Sequence, residues 1–189
     1  AARAALERAV AAPQSFPSKA EAQRQLALLT SGSAAGGTED RATLEARVKD
    51  QPRDLTARSR LAAVYEQEGQ FPKAAAEYEE VLRQNPKAAQ ASLRLAELNA
   101  GPLNDQAKAL EIARKAHELA PNDPQAAGLL GRLLARRGDH VQAYGLLQSA
   151  AQRSPQQADL QYDYAWAAYA VGRVADAHQA MRRALEIQP

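Results

Sequence analysis

Apolar and small residues recur at three- and four-residue intervals along most of the chain, in paired runs separated by short polar or glycine-containing segments. The first pair lies on either side of Gly69, and its members are Leu61, Ala62, Tyr65, Ala74, Tyr78 and Val81. This spacing places the apolar side chains on one face of an α-helix. Each pair of runs therefore predicts two amphipathic helices joined by a tight turn.

The paired pattern occurs four times, and a proline closes each occurrence, at Pro86, Pro121, Pro155 and Pro189. Pro52 closes the segment before the first pair, and the five prolines stand 34, 35, 34 and 34 residues apart. The second unit carries its extra residue in the turn 100–105. Units of this length cannot bury their apolar face alone, so they stack on one another into a solenoid.

The residues at fixed positions of each unit resemble the tetratricopeptide repeat. In the first unit, the small residue Ala62 precedes Tyr65, and Ala74, Tyr78 and the closing Pro86 follow. The resemblance covers roughly residues 55–189. It implies an all-α fold, an α-solenoid of antiparallel helix pairs wound as a right-handed superhelix.

The predicted domains follow the repeat. They are a degenerate N-terminal helical-repeat region at 1–54 and four repeats at 55–88, 89–123, 124–157 and 158–189, with truncation of the last repeat at its C-terminus left open. Within the first region we predict helical segments at 2–12 and 18–30, a Gly/Ser-rich loop at 31–38 and a helix capped by Thr38 or Asp40. A linker between two separate helical blocks explains this region equally well.

The sequence departs from the family at the bulky position that opens the repeat motif. Arg58, Ser92, Ala127 and Gln161 stand there. We expect this to weaken one packing contact in each unit without changing the architecture. Conversely, small residues such as Gly131 are expected to let the two helices of a unit approach each other closely.

Composition excludes several classes of function. A formal net charge of +2, from 24 Lys and Arg against 22 Asp and Glu, argues against a nucleic-acid partner. With no cysteine, thiol catalysis and Cys-based zinc sites are excluded. No apolar run is long enough for membrane insertion within this segment. The histidines, His117, His140 and His178, fall in three different units and are interpreted as surface residues, so no metal or cofactor is expected.

The candidate binding residues lie in the last two repeats. Tyr162, Trp166 and Tyr169 share one face of a predicted helix. The resemblance implies that this first helix lines a concave groove, where aromatic side chains are favoured anchors for a partner. Core packing, or packing on a further repeat, explains the same stripe equally well.

Polar residues extend this candidate groove. Arg132 and Arg136 stand one turn apart on the preceding first helix and are candidates to bind an acidic partner or its carboxyl terminus. Stacking of an arginine on Trp166, or plain solvation, is the competing interpretation. Gln125 and Asp159 complete the predicted set of groove residues.

These observations favour a non-enzymatic adaptor or scaffold that binds a protein or peptide partner. The alternatives are a structural subunit of a bacterial envelope assembly, with self-association through the exposed C-terminal end, and the regulatory repeat region of a larger enzyme. The exposed apolar end also leads us to expect that the natural protein continues beyond this segment. Alanine- and arginine-rich usage is typical of a high-GC bacterial genome, and it leaves an exported, periplasmic or cytoplasmic location open.

Overall fold

The computed structural model describes residues 40–188. These residues form nine α-helices and no strand. The helices are α1 Arg41–Asp50, α2 Leu55–Gln67, α3 Phe71–Gln84, α4 Ala89–Ala100, α5 Gln106–Leu119, α6 Pro124–Arg137, α7 His140–Arg153, α8 Ala158–Ala170 and α9 Val174–Ile187.

Contacts divide the chain into two units, Ala1–Ala46 and Arg47–Pro189. In the first unit, Asp40 caps α1, because its Oδ1 accepts a hydrogen bond from the backbone N–H of Thr43 at 2.8 Å. The predicted cap at Asp40 is therefore confirmed. The segments predicted at 2–12, 18–30 and 31–38 lie outside the described residues.

The second unit is an array of helix pairs. The two helices of each pair, α2–α3, α4–α5, α6–α7 and α8–α9, pack against each other, and α3–α4, α5–α6 and α7–α8 join one pair to the next. First helices also contact one another, α4 with α6 and α6 with α8. This architecture confirms the predicted all-α helical-repeat solenoid.

Glycine turns join the helices within a pair. Gly69, Gly138 and Gly172 have φ values of 72°, 94° and 78°, the left-handed region that glycine enters without steric cost. After Gly69, the N–H of Gln70 donates to the carbonyl of Tyr65 at 2.8 Å, which satisfies a carbonyl at the helix end. The longer turn of the second pair lacks such a glycine, and Asn104 takes the left-handed conformation there with φ 53°.

The prolines open the turns between pairs. In each turn the N–H of the residue two positions after the proline donates to the carbonyl of the residue before it: Ala88 to Asn85 at 3.1 Å, Asp123 to Ala120 at 3.0 Å and Gln157 to Ser154 at 3.1 Å. Proline at the second position of a turn presets φ and needs no donor. The predicted position of these prolines, at the close of each helix pair, is confirmed, and they turn the chain into the next pair.

Polar residues at the opening motif position make specific contacts. Gln161 is buried, and its Nε2 donates to the carbonyl of Ala151 in the preceding pair at 3.0 Å. Arg58 pairs with Glu77 on the partner helix of its own repeat, 2.6 Å from Nη1 to Oε2. At these two places a polar contact therefore stands where the family has bulky packing.

Candidate partner-binding surface

The first helices of the repeats carry a series of charged side chains that pair across neighbouring helices. Arg94 on α4 forms salt bridges with Glu66 on α2 and, at 2.7 Å, with Glu97 on its own helix. Further along, Nη1 of Arg132 on α6 lies 3.0 Å from Oδ2 of Asp163 on α8. One ion pair thus links α2 to α4, and another links α6 to α8.

Two acids in this series are partly desolvated. Burial raises the pKa of Asp163 above its usual range, although the hydrogen bond from Arg132 acts to lower it. Burial likewise raises the pKa of Glu97, against the opposing charge of Arg94. These ion pairs therefore lie in a less polar environment than a freely solvated helix face.

The candidate arginines differ in what they contact. Arg132 is held by Asp163, so neither stacking on Trp166 nor plain solvation describes its main contact. Arg136 is exposed, and within the described residues it has no salt bridge. Arg132, Arg136, Asp163 and Trp166 together line a cavity of about 290 Å³ between α6, α7 and α8. Of the two arginines that line this cavity, Arg136 is the one without a salt bridge among residues 40–188.

The three aromatic residues form an exposed stripe on α8. Tyr162, Trp166 and Tyr169 are 47%, 54% and 62% exposed. Their rings meet edge to face, with centroids 6.2 Å apart for Tyr162 and Trp166 and 6.3 Å apart for Trp166 and Tyr169. Core packing is therefore not their role within the described residues, because a large apolar surface is left open to solvent.

The polar end of the candidate surface lies near the start of α8. Nε2 of Gln125 donates to Oε1 of Gln157 at 2.8 Å, across the junction between the last two repeats. Gln125, Gln157 and Asp159 line a second cavity of about 270 Å³, and Arg132 lines it too. Five of the seven predicted residues thus line two cavities that share Arg132, while Tyr162 and Tyr169 flank Trp166.

Sequence reasoning missed Asp163, the partner of Arg132. The signal was present in the repeat register, since Arg94 occupies the position of Asp163 two repeats earlier and also pairs with the preceding first helix. It was overlooked because the periodicity of a single helix does not show pairs between repeats.

No metal site is found among residues 40–188, where no group of three or more His, Asp or Glu side chains could hold an ion. His140 and His178 are exposed, as predicted. The surface interpretation was wrong for His117, which is partly buried with its Nδ1 enclosed and unbonded. Within the same residues, no helix has both the length and the apolar character to cross a membrane.

Models of the tetratricopeptide repeat match most of this chain. One model matches residues 60–124 and 104–158, and a second matches 134–189. Among curated proteins, the transcriptional regulator HilA of Salmonella typhimurium and that of Salmonella typhi are each 36% identical over 86 residues. The match covers 46% of this chain and only 16% of HilA.

Several solved structures share the fold at low sequence identity. A crystal structure of MamA has a TM-score of 0.68 and 18% identity, covering 86% of this chain and 93% of that one. MamA from Desulfovibrio magneticus RS-1 has a TM-score of 0.68 and 16% identity, covering 99% and 95%. YrrB, described as a TPR protein with an unusual peptide-binding site, has a TM-score of 0.65 and 21% identity over 89% and 84% of the two chains. At these identities the likeness concerns the fold alone.

Proposed function

The chain belongs to the tetratricopeptide repeat family, and within the family's general role as a protein–protein interaction scaffold we propose that it binds a peptide segment of a partner protein. The proposed site is the surface of α6 and α8 between Gln125 and Tyr169, and the ligand segment lies there in extended or helical form. Repeats of this family are generally non-catalytic interaction modules, and we propose no reaction for this one.

The observation that carries the proposal is the cavity in which Arg136 lies near Trp166. Because Asp163 neutralises Arg132, the exposed guanidinium of Arg136 is the group best placed to bind a carboxylate of the ligand. Trp166 offers an apolar surface beside it, so an acidic residue next to an apolar one is the ligand feature that this end of the surface favours.

The polar cavity near Gln125 and Asp159 would determine which way round the peptide binds along this surface. Its amide and carboxylate groups offer hydrogen bonds to a peptide backbone, whereas the opposite end offers charge and aromatic surface. A peptide bound in the reverse orientation would place its acid near Asp159, which repels it.

Affinity capture with the purified protein tests this proposal. We expect partners retained by the wild type to be lost with Arg136→Glu and with Trp166→Ala, while helical content stays the same. The matched controls are Arg114→Glu on α5 and Val141→Ala on α7, both at exposed positions away from the proposed site. Recovery of the same partners by the wild type and both site variants would refute peptide binding at this surface.

A further inference from the structure

A cavity lies at the junction between the second and third repeats, where the start of α5 meets the end of α6. Its volume of about 610 Å³ is within the range of pockets that bind ligands in proteins. The lining residues are Gln106, Ala107 and Leu110 on α5 with Leu133, Arg136 and Arg137 on α6. A complete repeat stands on each side of this junction, so the stacking of one repeat on the next already occurs there. We call this space the α5–α6 cavity.

The next junction along the array shows why there is open space here. Equivalent positions on α5 and α7 differ by 34 residues, as do those on α6 and α8. Leu110 thus corresponds to Tyr144, and Leu130 to Tyr164. The two tyrosine rings pack with centroids 5.7 Å apart, and the Tyr144 hydroxyl donates to Oδ2 of Asp176 at 3.1 Å. Because leucine is shorter than tyrosine, the second and third repeats meet with less side-chain volume at these positions.

The charge around the α5–α6 cavity favours an acidic ligand. Among the described residues, two guanidinium groups line it and no carboxylate does. Arg137 is neutralised by Asp139, since its Nη2 lies 2.7 Å from Oδ2 of that residue. Arg136 has no salt bridge among residues 40–188, and it also lines the cavity beside Trp166. One guanidinium group therefore borders two cavities, and apolar side chains line both.

We propose that the α5–α6 cavity receives a large apolar side chain of the same peptide whose acidic residue binds Arg136. We call this side chain the cavity anchor. The inference rests on the proposed function, and it adds a second apolar anchor to the one that contacts Trp166. The acidic residue stands between the two anchors because Arg136 lines both cavities. Leu110 and Leu133 remove the cavity anchor from water, and this burial contributes affinity.

The place of Arg136 between the two cavities restricts the sequence of the ligand. A single arginine side chain reaches both cavities, so both anchors lie close to the acidic residue in the peptide. In an extended peptide, residues two positions apart point to the same side and stand about 7 Å from each other. The favoured ligand is therefore an extended segment with the order apolar, any residue, acidic, any residue, apolar.

Selection from a peptide library tests this inference. Short random peptides displayed on phage are selected against the intact chain, and the enriched peptides are synthesised for affinity measurement. We expect the enriched peptides to share the order given above. Replacement of either apolar anchor by alanine should weaken binding to the wild type by about tenfold or more.

Two variants of the protein close the cavity in different ways. Leu110→Tyr introduces the residue that the next junction already accommodates, whereas Ala107→Phe adds a ring from an exposed position outside the core. Each should weaken binding of the enriched peptides by about tenfold or more, with unchanged helical content. Val141→Tyr, at an exposed position on α7 that lines neither cavity, is the matched control and should leave binding unchanged.

A double-mutant cycle assigns each anchor to its cavity. The peptide without its cavity anchor should lose little further affinity with Leu110→Tyr, because the contact is already absent. The peptide without its other anchor should remain sensitive to Leu110→Tyr and become insensitive to Trp166→Ala. Equal sensitivity of both peptides to Leu110→Tyr would overturn the assignment of one anchor to the α5–α6 cavity.

The remaining outcomes separate this inference from the proposed function. If the enriched peptides lose affinity with Trp166→Ala and Arg136→Glu but bind both cavity-closing variants as tightly as the wild type, the peptide site stands and the cavity anchor is overturned. If no peptide is enriched, or if affinity survives all four changes, both proposals are overturned. Loss of affinity with Leu110→Tyr but not with Trp166→Ala also overturns the inference, because one ligand then does not occupy both cavities.

Discussion

Gly131 on α6 lies directly against Leu147 on α7, so closely that a Cβ atom at position 131 would be 2.6 Å from Cγ of Leu147. The two helices of the third repeat can approach this far only because position 131 has no side chain. Leu147 is itself 1% exposed and belongs to the hydrophobic core of the array. The predicted role of small residues at this motif position is thereby confirmed for the third repeat.

Enlarging residue 131 is therefore expected to destabilise the protein. Gly131→Ala should lower the free energy of unfolding by about 1–3 kcal/mol, through overpacking against Leu147. Chemical denaturation measures the change. Gly145 on α7 is the matched control, because a Cβ there meets nothing within 4 Å. Gly145→Ala should stabilise by about 0.5–1 kcal/mol through helix propensity, and equal effects of the two changes would contradict the packing argument.

The hydroxyl of Tyr78 is expected to contribute to stability. It donates to Oε1 of Glu66 at 2.8 Å, and the side chain of Tyr78 is buried. Tyr78→Phe removes this bond to a charged acceptor and should cost about 1.5 kcal/mol in thermal or chemical unfolding. Tyr162→Phe changes the same atom at an exposed ring and should leave stability as it is. If Tyr78→Phe left stability unchanged, water would replace the tyrosine hydroxyl as a donor to Glu66 at no cost in free energy.

The carboxyl group of Asp163 should titrate above its usual range. Burial raises its pKa, so the folded state binds this proton more tightly than the unfolded state. The contribution of this group to stability therefore falls as pH rises from the ordinary value of 3.8 through the raised pKa. Carbon-detected NMR titration measures the shift, and Arg132→Gln should raise the pKa further because it removes the opposing guanidinium.

Asp54 provides an internal reference in the same titration. The backbone N–H of Ala57, together with Arg47, lowers the pKa of Asp54, so the two aspartates should shift in opposite directions. A pKa of Asp163 at or below that of Asp54 would mean that the salt bridge with Arg132 outweighs burial.

The fluorescence of Trp166, the single tryptophan of the chain, should show whether the aromatic stripe is exposed to solvent or covered by a ligand. At 54% exposure it should emit at long wavelength and be quenched readily by acrylamide in the folded protein. Addition of a peptide or helix that covers the stripe should shift the emission to shorter wavelength and slow the quenching. Short-wavelength emission from the free monomer would contradict the exposure of α8.

The fold could be predicted from the sequence because the same apolar spacing and the same kinds of turn residue recur in successive repeats. The spacing around Tyr65 and Tyr78 fixes two helix faces, and the left-handed glycines and the prolines fix the turns between them. The bounds of the repeats remain a proposal, although each helix pair lies within one predicted range. Periodicity predicts well which face of a helix is buried, because that face is determined by the spacing of apolar residues along the helix itself.

The candidate site was predictable only in part. The periodicity identified Trp166 and its neighbours as one helix face. The partner of Arg132, however, depends on the relative rotation of α6 and α8, which contact each other in space but have α7 between them in the sequence. The exposure of Leu185 likewise depends on whether another helix covers it. Whether a side chain lies in a binding site or in a junction between repeats depends on its neighbours in three dimensions.

The turns that begin at Asn85, Ala120 and Ser154 close with nearly the same hydrogen bond, at 3.1, 3.0 and 3.1 Å. Successive repeats are therefore connected by turns of the same geometry, and we call each of these turns a joint. A gene segment duplicated or deleted between two of these turns changes the protein by one whole unit and leaves both new joints with a geometry that the chain already uses. We therefore expect the array to tolerate the gain or loss of one whole unit at these turns better than the gain or loss of part of a unit.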